Sequence, residues 1–257
     1  MTNTVKTTAM LAVAGCALAA SAQPTFLVFV GETLYRFGEA GPIDSFSMGH
    51  QIMGLGADEN GVIRGTEGQT PNRASWRLDD PEGTPTLTQL STNIPGPRAS
   101  ISYVNGTPYT ITNIDHLVQL DPSNLEDVAD LGAMGTPQGF GGSGYDGQTL
   151  YASNGSDDML YSIDIGSVSA TPIGSFGVDF RNSGMEYFNG TMYAVVEDPN
   201  ALEYWVGSVD LGTGAFTPIR MVTGYDGTEM LSSIVVIPAP AGLAVLGLGA
   251  LAARRRR

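Results

Sequence analysis

Apart from the carboxylates, the residues able to do chemistry are few and scattered. The chain has two histidines, His50 and His116, a single cysteine, Cys16, and 26 Asp and Glu against 12 Lys and Arg. Neither histidine has another His or a Cys at the spacing a zinc site needs. There is no Gly-x-Ser-x-Gly turn, no His-Glu-x-x-His motif and no phosphate-cradling glycine loop. Carboxylate chemistry remains. Glycoside hydrolysis needs two carboxyl groups roughly 5–10 Å apart, one acting as acid and the other as nucleophile or base. Glu186 and Glu229, with Arg181, would form such a site if the fold gathers them at one mouth of a channel. No cofactor is expected, Ca²⁺ being the one candidate weighed against that reading. Asn154-Gly155-Ser156-Asp157-Asp158 and Asp121-Pro122-Ser123-Asn124 offer the hard oxygens it takes. Neither has the spacing of an EF-hand loop, and acidic turns also occur for turn geometry alone.

Charge is distributed unevenly. Lys6 lies near the start and Arg254, Arg255, Arg256 and Arg257 close the chain, leaving a body with seven Arg against all 26 carboxylates, a net −19. Such a body repels nucleic acid and anionic lipid, which offer it no counter-charge. With Cys16 in the leader, no disulfide is expected in the rest, so stability must come from sheet packing.

The elements that would position these residues are short strands. Apolar and polar residues alternate in runs separated by turns, with no 3.6-residue stripe. Asn60-Gly61, Asn105-Gly106, Asp146-Gly147 and Asn189-Gly190 have the turn chemistry of tight hairpins. Asn105 and Asn189 also fall in glycosylation sequons, which read here as turns. A second marker recurs in step: Leu34 to Phe37, Ser75 to Leu78, Leu117 to Leu120, Leu160 to Ile163 and Val206 to Val209, whose last residues lie 41, 42, 43 and 46 apart. A period in the forties with about four short strands per unit marks a β-propeller blade. The expected fold is all-β, a propeller of five blades of four antiparallel strands. The first unit lacks a strand and the last stretch has one to spare. Pairing Leu231–Ile237 with Phe26–Val30 closes the ring and removes two exposed edges. Gly54, Gly56, Ser100, Ser102, Gly142, Gly144, Gly184, Ser232 and Ser233 are expected on the crowded inner strands. Tyr151, Tyr161, Tyr193 and Trp205 should fill the wedges between blades.

Two terminal segments lie outside this body, giving residues 1–22, 23–237 and 238–257. Met1 to Ala22 reads as a secretory signal, with Lys6, an apolar run from Ala9 to Ala20, and a small-x-small cleavage site at Ala20-Ser21-Ala22. Val13-Ala14-Gly15-Cys16 also resembles a lipobox, the alternative in which Cys16 carries lipid. At the other end, Pro238-Ala239-Pro240 precedes an uncharged stretch from Ala241 to Ala253 and the four arginines. Those residues would make a helix of only about 20 Å, short of the roughly 30 Å hydrocarbon core, with its basic end cytoplasmic. This tail resembles the PEP-CTERM sorting signal of exosortase systems over Pro238 to Arg257, with Ala239 where the family has Glu. The resemblance implies passage across the inner membrane, cleavage near Pro238 to Pro240 by an exosortase-like enzyme, and release to the envelope or matrix. An ordinary tail anchor is the alternative. The functional expectation is an exported, non-catalytic propeller presenting loops to a polysaccharide or envelope protein, with a carbohydrate hydrolase as the rival.

Overall fold

The computed structural model describes residues 23–68, 73–98, 100–112, 114–181, 183–224 and 232–239. The signal segment, Glu229, Leu231 and the tail from Pro240 onward fall outside these residues. Twenty strands follow in order: β1 (Pro24–Val30), β2 (Thr33–Gly38), β3 (Asp44–Ser47), β4 (Ile52–Ala57), β5 (Ile63–Glu67), β6 (Arg73–Asp79), β7 (Thr86–Ile94), β8 (Ser102–Val104), β9 (Thr107–Ile111), β10 (His116–Leu120), β11 (Asp127–Ala133), β12 (Phe140–Tyr145), β13 (Leu150–Asn154), β14 (Met159–Asp164), β15 (Ser169–Ser175), β16 (Ser183–Phe188), β17 (Thr191–Asp198), β18 (Glu203–Val209), β19 (Phe216–Gly224) and β20 (Ser232–Pro238). They form five four-stranded antiparallel sheets, the blades of a β-propeller. Blade 1 is β20-β1-β2-β3, and blades 2 to 5 take β4–β7, β8–β11, β12–β15 and β16–β19. The inner strands β20, β4, β8, β12 and β16 neighbour one another in a ring. The repeated quartets of the sequence all fall on third strands, and the Asn-Gly and Asp-Gly pairs all join first strands to second.

Closure follows the expected pairing, with Val30 opposite Ser232, Val28 opposite Ile234 and Pro24 opposite Pro238. It explains why β1 reads as an unbroken apolar run: all seven of its residues are buried. Phe26, Val28 and Val30 pack into the wedge towards blade 5. Leu27 and Phe29 pack into the wedge towards blade 2. Ile234 and Val236 join the first wedge, Val235 and Ile237 the second. Tyr193 and Tyr161 are buried in wedges, and Tyr151 and Trp205 sit at their margins. The wedge between blades 2 and 3 is the smallest, built on Ile101, Val118, Leu120 and Leu125. Polar contacts supplement it: Ser91 Oγ donates to Glu126 at 2.5 Å, and the Ser75 hydroxyl donates to the Asn124 carbonyl.

Inner strands approach so closely that only small residues fit. A Cβ on Gly184 would lie 2.7 Å from the Ile234 nitrogen and 2.8 Å from the Ser233 Cα, and one on Gly142 would lie 2.6 Å from the Gly184 carbonyl carbon. Hydroxyls stitch the same seam. Ser143 Oγ meets Ser100 Oγ at 2.6 Å and Ser102 Oγ at 2.7 Å, Ser153 Oγ meets Ser183 Oγ at 2.6 Å, and Ser233 Oγ donates to the Ile52 carbonyl at 3.0 Å. Gly184→Val is therefore expected to cost about 3 kcal/mol or more, because the opposing atoms are backbone and cannot rotate away. Urea denaturation checks this; an unchanged midpoint would mean that the seam opens freely.

Candidate functional site

Antiparallel blades give the ring two unlike faces. On one, which we term the turn face, each inner strand of blades 2 to 5 turns into the second strand. On the other, the arrival face, the chain comes in from the outer strand of the preceding blade. The hydrolase candidates were expected at one mouth of the channel. Arg181 is exposed at the arrival face, just ahead of β16; its backbone N–H donates to the Glu197 carbonyl at 3.3 Å, and no described residue pairs with its guanidinium. Glu186 lies further along β16, so five residues of extended chain, about 17 Å, separate the two. Glu229 lies outside the described residues. Other arrival-face groups are engaged in local structure. His50 Nδ1 meets Glu67 Oε1 at 2.6 Å, and its ring packs on Trp76 at 4.0 Å between centroids. Arg98 is 3% exposed and turns between blades to Asp127, with Nη2 at 2.6 Å from Oδ2.

Glu186 is the only carboxylate on the five inner strands. Steps of 42 residues relate it to Gly144 on β12 and Ser102 on β8. A Cβ on Gly144 would lie 3.6 Å from the Glu186 Cα, which confirms that the two strands sit level. No described residue hydrogen-bonds or ion-pairs with the Glu186 carboxyl. Burial pushes its pKa up to about 8, so it holds its proton at neutral pH.

The acidic turns weighed for Ca²⁺ spend most of their oxygens on the chain itself, Asp157 Oδ1 alone being buried without a partner. Asn154 Oδ1 accepts the Ser156 N–H at 2.9 Å, Asp157 Oδ2 accepts the Tyr161 hydroxyl at 2.5 Å, and Asp158 Oδ1 accepts the Phe180 N–H at 3.1 Å. Asp121 Oδ1 accepts both the N–H and the hydroxyl of Ser123, at 2.7 and 2.6 Å. Among the described residues no three His, Cys, Asp or Glu side chains gather around one point.

The turn face carries a concavity that the sequence reading missed. In the β4–β5 turn, Asp58 Oδ1 accepts the N–H groups of Asn60 and Val62 at 2.9 Å each, and Oδ2 accepts Arg64 Nη1 at 2.9 Å. Burial opposes its ionisation, but the hydrogen bonds from Arg64, Val62 and Asn60 outweigh it and hold its pKa below the ordinary value. Arg64 Nη1 also donates to the Tyr103 hydroxyl at 3.3 Å, which ties blade 2 to blade 3. In the β8–β9 turn, Asn105 and Gly106 take φ of 50° and 80°, the left-handed geometry of a type I′ hairpin. Ala57, Asp58, Glu59, Tyr103, Asn105, Gly106 and Tyr145 enclose a lobe of about 290 Å³ beside the axis. A second lobe of about 450 Å³ shares Asn105 and Tyr145 and runs outward along blade 4, past Gln148, Thr149, Ser162, Asp164 and Thr171. The two lobes adjoin at Asn105 and Tyr145, the first walled by blades 2, 3 and 4 and the second by blades 3 and 4. Its signal was present in the sequence: Tyr103, Tyr145 and Tyr187 recur at intervals of 42, each next to or two residues before an Asn-Gly or Asp-Gly turn.

Fold and inner-strand ring together define a five-bladed β-propeller with a small-residue core seam. No protein-family model matches the sequence, and no curated protein matches it. Among solved structures, the chain is similar to one in the crystal structure of a nidogen/laminin complex, with a TM-score of 0.56 and 11% identity over 83% of this chain and 98% of that one. At that identity the likeness is one of fold.

Proposed function

We propose that this protein is an exported, non-catalytic propeller of the cell envelope or extracellular matrix, sorted through the segment that begins at Pro238. The observation that carries the reading is where the ring closes. β1 begins at Pro24 and pairs with β20, which ends at Pro238, so residues between the two terminal segments complete every blade. Segments that the fold does not need can be cut away without harm to it. Both junctions leave from the turn face side by side, the Ala239 N–H donating to the Gln23 carbonyl at 2.8 Å. The tail's resemblance to an exosortase signal supplies the route and the processing enzyme. The non-catalytic part rests on the inner strands, where Glu186 has no second carboxylate for the acid–base pair that glycoside hydrolysis requires. The similar solved chain comes from a complex between two proteins, a setting that fits a propeller used for recognition.

Intact mass of the protein recovered from its host, divided into membrane and medium, tests this. A species from Gln23 to about Pro240 is the expected result. A membrane species retaining Arg254 to Arg257 would make the tail an anchor and overturn the sorting reading, and one starting at a lipid-modified Cys16 would replace the signal assignment. The hydrolase reading draws on Glu186, whose raised pKa suits a general acid. It requires Glu229 or another loop acid as partner. Turnover of a glycan that survives both Glu186→Gln and Glu229→Gln would dispose of that site.

A further inference from the structure

We infer that the two-lobed groove on the turn face binds an uncharged glycan chain. The inference does not depend on the sorting reading. Shape is the first ground: lobes of about 290 and 450 Å³ lie next to each other, sharing Asn105 and Tyr145 in their linings, the second reaching Thr171 on the outer strand of blade 4. Each lobe is of the size that holds small ligands, and two adjoining lobes suit a chain of linked rings.

Chemistry is the second ground. The side-chain amides of Asn105 and Gln148 and the hydroxyl of Thr171 make no hydrogen bond with any described residue. An amide presents a donor and an acceptor side by side, which matches the paired hydroxyls of a sugar ring. Tyr103 and Tyr145 are half-buried and line the axial lobe, where their rings offer apolar faces to the C–H side of a pyranose. The Tyr103 hydroxyl accepts from Arg64 and keeps its own proton to donate, and burial pushes its pKa above the ordinary value.

Charge is the third ground and sets the class. No Lys or Arg lines either lobe, whereas Asp58, Glu59 and Asp164 do. Arg64 offsets Asp58, but a uronic-acid or sulfated chain would still meet Glu59 and Asp164, with which no described residue ion-pairs. A protein partner would want a broad apolar centre, and a polar trough does not supply one.

The test titrates the purified full chain with neutral hexasaccharides of glucose, galactose and mannose, and with a uronic-acid hexamer, followed by calorimetry. Saturable binding of at least one neutral oligomer is expected, with the uronic-acid oligomer about tenfold weaker at low salt and the gap narrowing as salt is added. Gln148→Ala combined with Thr171→Ala removes two hydrogen-bonding groups from the exposed surface. It should weaken binding about tenfold with the melting temperature unchanged. Tyr145→Leu should abolish binding, and the double variant keeps the test valid if that substitution disturbs the wedge. No saturation by any neutral oligomer up to about 10 mM would overturn the inference. So would equal binding of the anionic chain, or binding that the double variant leaves intact.

Discussion

A chain stopped after Leu231 is expected to show no cooperative unfolding transition, whereas one stopped after Ala239 should melt as a single unit. The seven residues of β20 supply the inner strand of blade 1 and pair along the whole of β1. Without them, Ile234, Val235, Val236 and Ile237, each no more than 8% exposed in the ring, are gone from two wedges at once. At about 1.5–3 kcal/mol per buried aliphatic side chain, the loss is roughly 6–12 kcal/mol, before the unpaired edge of β1 is counted. That is comparable to the roughly 5–15 kcal/mol that holds a domain together. Thermal melts of the two chains decide the matter. If the shorter one unfolds cooperatively within a few degrees of the longer, the ring does not need its closing strand.

Glu186→Gln should stabilise the protein, and only at higher pH. The folded state holds the Glu186 proton up to about pH 8, while the unfolded chain releases it near the ordinary 4.5. Below the unfolded value both states are protonated and the residue costs nothing. Between the two values unfolding releases a proton, so stability falls as pH rises, and above about 8 the loss is complete. At 1.36 kcal/mol per pKa unit the full loss is about 3–5 kcal/mol, with allowance for partial exposure of the side chain. Glutamine keeps the shape and never ionises. The variant should match the parent in urea denaturation at pH 4 and exceed it at pH 9; equal midpoints at both values would show that the carboxylate is solvated in the ring.

The same contrast separates what the sequence made legible from what it did not. Blade number and closure could be read because each rests on local signals repeated in register: the Leu117 to Leu120 type of quartet on third strands, and the Asn105-Gly106 type of turn between first and second. Small inner-strand residues such as Gly142 and Gly184 followed from crowding at the axis. Arg98 precedes an inner strand, and nothing local in the sequence gives its direction. Its guanidinium runs outward to Asp127, 29 positions away, where a buried cation needs a partner. The groove was harder still, because its walls come from turns of blades 2, 3 and 4 that only the ring brings together. Tyr103 and Tyr145 carried the periodic hint, but an aromatic before a turn packs a wedge as readily as it lines a trough, and these two do both.

The pairing of β1 with β20 also fixes the order of events in time. β1, β2 and β3 can pair as soon as they are made, but the inner edge of β1 stays unpaired until residue 238 has arrived. Contacts so far apart along the chain make for slow closure and a long interval in which the edge of β1 stands open. A chain emerging across a membrane with its amino end leading would complete its ring only once the stretch from Pro238 reached that membrane. Holding that stretch there briefly would give the ring its moment to shut before the protein is let go.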